Sequence, residues 1–172
     1  LHKEYRRQRQ MCIRDRAQVG RHAAMKMVLP GARPVIAPDP SLNRWHSAAV
    51  GQALWLSVND PTATKHGSLS FMGQAVSLTA RRNGLSFEMG DGHTVHCDAT
   101  TQWSESVEPG TPSPTCGYTY QQAAPEGGYK VTAITSWDVT WSVLGHTGTV
   151  HIEKAGGQML PVGELESVVT RR

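Results

Sequence analysis

Apolar and polar residues alternate singly along several stretches of this chain, and the longest such stretch runs from Tyr129 to Val143. Tyr129, Val131, Ala133, Thr135, Trp137, Val139, Trp141 and Val143 fall on one side of it. Lys130, Thr132, Ser136, Asp138, Thr140 and Ser142 fall on the other, with Ile134 the exception. A helix would scatter these positions around its axis, so the period of two predicts a strand. That strand is expected to outrun its neighbours or to bend partway. The same alternation predicts strands at Ala53–Val58, with Leu54, Leu56 and Val58 opposite Trp55, and at Ala75–Arg81, with Val76, Leu78 and Ala80 inward. Thr62–Gly73 reads as a polar connection in which Leu69 and Phe71 could make a short strand. Val150–Glu153 is expected to pair back onto the long strand, and Leu160–Val169 supplies a last one, with Glu164 and Glu166 outward if Leu165 is inward.

The stretch from Leu85 to Cys97 organises the rest. Leu85, Phe87 and Met89 alternate with Ser86 and Glu88, Gly90-Asp91-Gly92 interrupts, and Val95 and Cys97 resume the pattern. Glycine accepts positive φ and an Asp side chain can bond its own turn backbone, so this is a hairpin with a Gly-Asp-Gly tip. Further turns are expected at Asn59-Asp60-Pro61, Pro125–Gly128 and Gly145–Gly148, with a break at Gly156-Gly157. Arg82-Asn83-Gly84 carries the Asn-Gly pair that is among the strongest hairpin signals. Many short strands with such punctuation predict an all-β chain folded as an antiparallel β-sandwich. A Rossmann-type site would lack its scaffold. Ahead of the sandwich, residues 17–29 predict a short helix with Val19, Ala23 and Met27 on one narrow stripe, Met25 a further candidate for it, weakened by Gly20 and ended by Pro30. Residues 30–49, with Pro30, Pro34, Pro38 and Pro40, read as a Pro-rich linker, and residues 50–172 as the sandwich domain.

Charge changes the picture at the N-terminus. Residues 1–16 hold six basic and two acidic side chains, a local +4 against +3 for all 172 residues, so the remainder is −1. Gln10-Met11-Cys12-Ile13-Arg14-Asp15 closely resembles translated sequencing adapter. Residues 1–16 are therefore expected to be a non-native arm that packs on nothing, rather than a basic arm for nucleic acid or membrane. Without them no nucleic-acid footprint remains. There is no apolar run near the ~20 residues that a membrane helix needs. No intact signal peptide is visible, and the native start is expected to be missing.

With Cys12 in that arm, two cysteines remain, Cys97 and Cys116, bracketing a Pro-, Ser- and Thr-rich stretch from Asp98 to Thr115. A structureless loop of that length is uncommon inside a domain unless something tethers it. A disulfide between Cys97 and Cys116 is expected, against the alternative of two unrelated buried thiols, and it places the chain in an oxidising, extracytoplasmic compartment. His93 and His96 lie three apart, which on a strand turns their rings to opposite sides, so they are expected to be ordinary polar histidines rather than metal ligands. Asp91 and Asp98 could hold calcium weakly, but capping of the turn is the simpler role for Asp91. No G-x-S-x-G or H-E-x-x-H string accompanies the serines and histidines. No catalytic residue, metal or cofactor is expected, and the chain reads as not an enzyme. Trp103, with Glu105 and Glu108 nearby, makes the tethered loop the expected binding surface, with Trp103 the most exposed aromatic; the competing readings are that Trp103 folds back over the loop's own core and that the loop merely caps one end of the sandwich.

Phe87-Glu88-Met89-Gly90-Asp91-Gly92 resembles the aromatic-x-F-G-D-G turn of PKD domains, with Met89 in the place of a Phe. Gly117-Tyr118-Thr119-Tyr120 and Gly128-Tyr129-Lys130-Val131-Thr132-Ala133 resemble that family's second signature. The order and spacing fit, apart from a long insertion before Cys116. From about Leu29 onward the chain is similar to a group of exported actinobacterial proteins that often carry an ATP/GTP-binding label. The G-x-x-x-x-G-K-[ST] loop which that label needs is absent, so no nucleotide is expected. The resemblance implies a PKD/immunoglobulin-like β-sandwich from a secreted or cell-surface protein. It implies a non-catalytic module for protein interaction, adhesion or scaffolding, its partner a protein or a cell-wall glycan. A carbohydrate-binding module is the alternative if Trp103 and Trp55 are exposed and coplanar. A secreted hydrolase fragment is the alternative if a His, an Asp and a Ser converge in one cleft.

Overall fold

A computed structural model describes residues 16–71 and 73–164. Among the described residues strand makes up 48% and helix 9%, the latter including a 3-10 turn at Pro40–Leu42, so the fold is all-β with a short N-terminal helix. That helix, α1, spans residues 16–25. The strands among the described residues are β1 (Pro34–Ala37), β2 (Ala48–Ala49), β3 (Leu54–Val58), β4 (Thr64–Phe71), β5 (Gln74–Glu88), β6 (Thr94–His96), β7 (Gly117–Tyr118), β8 (Tyr129–Val143), β9 (His146–Leu160) and β10 (Val162–Gly163). They form a three-stranded sheet in the order β1-β3-β7, a β10-β2 pair, and a sheet in the order β4-β5-β8-β9 with β6 also on β5. The larger sheets are antiparallel and, within the second unit, their packing is sandwich-like; the short β10-β2 pair runs parallel. The described residues divide into two compact units, one of residues 16–30, 62–71, 73–83 and 136–154, the other of residues 31–61, 84–135 and 155–164.

In the first unit, α1 covers the inner face of the sheet. Val19, Ala23 and Met27 bury themselves with Val76, Leu78 and Ala80 of β5 and Trp137, Val139 and Trp141 of β8. Gly20 is more than a weak point in the helix, because a Cβ there would lie 2.1 Å from the Trp141 ring. On β9, a Cβ at Gly148 would lie 2.4 Å from the same indole. The two glycines let backbone of α1 and of β9 close on one large aromatic. β4 is a full strand rather than a polar connection, and it pairs with β5 from Phe71↔Gln74 to Thr64↔Arg81. Its side chains are nearly all exposed, which is why alternation hardly marks it. β8 turns into β9 through Leu144 and Gly145, both at positive φ, the backbone of a type I′ hairpin. Arg16, placed in the arm by its sequence, opens α1, with its guanidinium 3.3 Å from the His146 ring. The other arm residues, 1–15, and the predicted last strand beyond residue 164 lie outside the described residues.

In the second unit the core is built by Leu54, Leu56 and Val58 of β3, Phe87 and Met89, Tyr120, Val131 and Leu160. Trp55 is buried as well, so both faces of β3 are covered. The Pro-rich segment is not a bare linker: Pro34–Ala37 pairs antiparallel with β3, from Pro34↔Val58 to Ala37↔Trp55. Proline is tolerated there because β1 is an edge strand and Pro34 its first residue. The hairpin expected between Leu85 and Cys97 is present, with Ser86↔His96 and Glu88↔Thr94 paired.

Two expected breaks are absent. β5 runs unbroken through Asn83-Gly84, where no hairpin forms. The burial alternation instead slips by one residue, from Val76, Leu78 and Ala80 inward to Leu85 and Phe87 inward, as an extra residue in one strand produces. β9 runs through Gly156-Gly157, and a Cβ at Gly156 would lie 3.1 Å from the Ala32 carbonyl oxygen. β8 keeps its expected bounds but does not outrun its neighbours, since β5, β8 and β9 are 15 residues each.

Candidate functional site

The Gly90-Asp91-Gly92 tip is fixed from two directions. Its own backbone closes it, with Met89 N donating to His93 O and His93 N donating to Asp91 Oδ1. From across the unit, the Tyr118 hydroxyl donates to Asp91 Oδ2 at 2.6 Å and the Tyr120 hydroxyl to the Met89 carbonyl at 2.7 Å. Tyr120 in turn stacks on Tyr129, ring centroids 4.7 Å apart. A Cβ at Gly90 would lie 2.8 Å from the Lys130 carbonyl oxygen, so the tip presses directly on the start of β8. The two sequence signatures, Phe87–Gly92 and Gly117–Tyr120, thus form one packed cluster. Burial alone would raise the Asp91 carboxyl, but the hydrogen bonds from Tyr118 and from the His93 backbone outweigh it and hold the group below its ordinary 3.8. Burial, reinforced by Asp91, pushes the Tyr118 hydroxyl up to about 12. Burial likewise raises Tyr120. The hydrogen bonds and the ring stacking together clamp the tip in place.

Cys97 and Cys116 form a buried disulfide with Cα atoms 5.6 Å apart. Between them, residues 98–115 contain no helix or strand. Two turns organise the loop, Val107 N donating to Ser104 O and Thr111 N to Glu108 O. The Trp55 indole N–H donates to the Thr111 carbonyl at 2.8 Å, pinning the loop to β3. Together these hold a cleft of about 310 Å³ lined by Pro38, Trp55, Trp103, Glu105, Val107 and Glu108 among others. The three loop residues singled out in the sequence, Trp103, Glu105 and Glu108, therefore meet at one cleft. Trp103 is half-buried in its wall, while both glutamates are exposed. The most exposed tryptophan is instead Trp45, 54% accessible, with the Arg44 guanidinium 4.2 Å from its ring centroid. Nothing in the pattern around Trp45 marks it, because it falls in a Pro- and Ser-rich segment without alternation.

Other polar clusters carry less. His93 pairs with Asp91 at 3.3 Å and His151 with Asp138 at 3.0 Å. His151 and Asn83, which donates to the other Asp138 oxygen at 2.7 Å, hold Asp138 below its ordinary value. His93 and His96 are both exposed. Among the described residues no group of three or more His, Cys, Asp or Glu side chains is placed to hold a metal ion. Trp55 is only 6% accessible, so it offers no sugar-stacking platform beside Trp103.

No helix among the described residues is long and apolar enough to cross a membrane. That and the disulfide are compatible with an extracytoplasmic protein. Comparison with family models, with curated proteins and with solved structures returns no match.

Proposed function

We propose that this chain is a non-catalytic, PKD-like β-sandwich module of an exported or cell-surface protein, and that it binds a protein partner through the tethered 98–115 loop. One observation carries the reading: Trp103, Glu105 and Glu108 converge on a cleft whose rim is locked by the Cys97–Cys116 bridge and the Trp55–Thr111 hydrogen bond. Loops on a rigid scaffold are the usual seat of recognition. A loop already held in shape loses little conformational freedom on binding. The joining of the Gly-Asp-Gly tip to Tyr118 and Tyr120 supports the PKD-like reading, because it couples the two signatures on which that resemblance rests. The buried disulfide supports a role outside the cytoplasm.

The test is display of the module against exported proteins and cell-wall glycans, in parent form, as Trp103→Ala, and with residues 104–113 shortened while both cysteines are kept. Binding to a protein that is lost in both variants, with the melting temperature unchanged, is the expected result. Binding that survives both changes would place the site elsewhere, and selective capture of glycans would replace the protein partner with a sugar.

A further inference from the structure

Resting on that reading, we propose that the cleft takes an arginine side chain presented by an extended segment of the protein partner. The first observation is charge. Residues 98–115 contain Asp98, Glu105 and Glu108 and no Lys, Arg or His. Glu105 and Glu108 are both exposed, both line the cleft, and neither has an ion pair among the described residues. No Lys, Arg or His is among the residues that line the cleft, so its mouth carries a negative rim that disfavours phosphate, carboxylate and other anionic ligands.

The second observation is the wall. Trp103 stands half-buried beside Pro38 and Val107, an apolar slot with an indole on one side. Tryptophan is the aromatic that attracts a cation most strongly over its face. A guanidinium is planar and weakly hydrated, so it can stack on that indole while its edge donates to a carboxylate; an ammonium is a compact, strongly hydrated point charge that does this less well. The two chemistries that line the cleft, an indole and two exposed carboxylates, coincide in what an arginine needs. A volume of about 310 Å³ is at the small end of ligand pockets and has room for an arginine side chain.

The third observation is rigidity. Glu105 lies within the Ser104–Val107 turn, and Glu108 opens the turn closed by Thr111 N. Trp55 anchors Thr111, and the disulfide fixes both ends of the loop. The carboxylates are therefore carried on backbone already shaped before a partner arrives.

The experiment titrates the protein with three short capped peptides, identical except for a central arginine, citrulline or lysine. Tryptophan fluorescence and amide shifts of residues 98–115 are the readouts. The expected result is saturable binding of the arginine peptide, with lysine several-fold weaker and the neutral citrulline isostere weaker still. Glu105→Gln with Glu108→Gln should weaken the arginine peptide by about tenfold, as expected for two partly exposed charge contacts, and added salt should do the same. Trp103→Leu should weaken it while leaving the melting temperature within error. Equal binding of citrulline and arginine, lysine binding tighter than arginine, or saturation by none of the three would overturn the proposal. Where the display experiment still maps partner binding to the loop but the arginine peptide fails, the loop reading stands and the arginine proposal alone falls. Where arginine saturates the cleft yet the natural partner binds without Trp103, the reading of the loop as the partner site falls instead.

Discussion

The Tyr118 hydroxyl reaches back 27 residues to donate to the Asp91 carboxylate at 2.6 Å. Asp91 also accepts the His93 backbone N–H, so one side chain caps its own turn and receives a strand from elsewhere in the sandwich. That side chain is only 15% accessible. A hydrogen bond to a charged acceptor contributes about 1.5–3 kcal/mol, and removing the donor leaves the carboxylate under-solvated. Tyr118→Phe is therefore expected to destabilise the fold by about 1.5 kcal/mol, near the low end because Asp91 keeps its backbone donor.

The same bond sets a pH dependence. Asp91 has its pKa depressed in the folded protein, so its stabilisation is present above the ordinary carboxylate pKa of 3.8 and is lost as pH falls through the folded value. Tyr118 is raised to about 12, so its contribution is present below the ordinary phenol value of 10 and is lost as pH climbs through the raised one. Asp91→Asn should flatten the acid limb of a plot of stability against pH. It should also bring the Tyr118 titration, followed by phenolate absorbance, down only part of the way, since burial is the larger cause. An unchanged acid limb would mean that other carboxylates control it.

Gly20 faces Trp141 with no room for a methyl group. Helix propensity alone favours Ala over Gly by about 1 kcal/mol. Overpacking a core costs about 1–3 kcal/mol, and a Cβ at 2.1 Å from an aromatic carbon demands a shift of the helix or the ring. Packing wins, so Gly20→Ala is expected to lower the denaturation midpoint. Gly20→Ala with Trp141→Leu should recover part of the loss relative to Trp141→Leu alone. A stabilising Gly20→Ala would show that α1 does not rest on Trp141.

This also explains which parts of the fold were legible in the sequence. β8 was readable to its end residues, because its inward face is unbroken from Tyr129 to Val143 and nothing on the outer face imitates it, Ile134 aside. The disulfide and the Gly-Asp-Gly hairpin were legible because cysteine pairing and turn chemistry are local signals. Glycines misled wherever tertiary contacts had selected them. At Gly156 the chain admits the Ala32 backbone instead of breaking, and at Asn83-Gly84 it slips phase instead of turning. β1 was hidden by its prolines and β4 by exposure on both faces. At the cleft, Trp103, Glu105 and Glu108 were found from composition. The roles of Trp55 and Pro38 were not, because Trp55 looked like one more strand residue and only the folded chain brings it under Thr111.

Leu144 sits at φ 47, followed by Gly145 at φ 77, and its side chain is exposed. Left-handed backbone costs an ordinary L-residue about 1–2 kcal/mol, and Asn tolerates it best after Gly. Asn-Gly is the preferred pair for this turn. Leu144→Asn is expected to raise stability by about 0.5–1 kcal/mol, read as a higher urea midpoint with an unchanged slope. A neutral or lower midpoint would mean that the Leu144 side chain makes packing contacts worth more than its backbone strain.

The last prediction separates the two devices that hold the cleft. The disulfide closes a loop with a sequence separation of 19, which the chain-entropy model values at about 3 kcal/mol through the unfolded state. The Trp55–Thr111 hydrogen bond acts in the folded state and at the middle of the loop's path rather than at its ends. Trp55→Phe keeps most of the buried ring and removes only the N–H donor, a net loss of about 1 kcal/mol. Cys97→Ser with Cys116→Ser should therefore cost the larger share of global stability, whereas Trp55→Phe should cost little globally and loosen the loop. Limited proteolysis tells them apart: Trp55→Phe should be cut faster between residues 104 and 113 at a temperature where the rest of the module stays intact. Combined, the two changes should speed cleavage by more than the product of their separate effects, because each anchor limits the motion that remains when the other is gone. Cleavage rates that simply multiply would show that the bridge and the indole restrain independent parts of the loop.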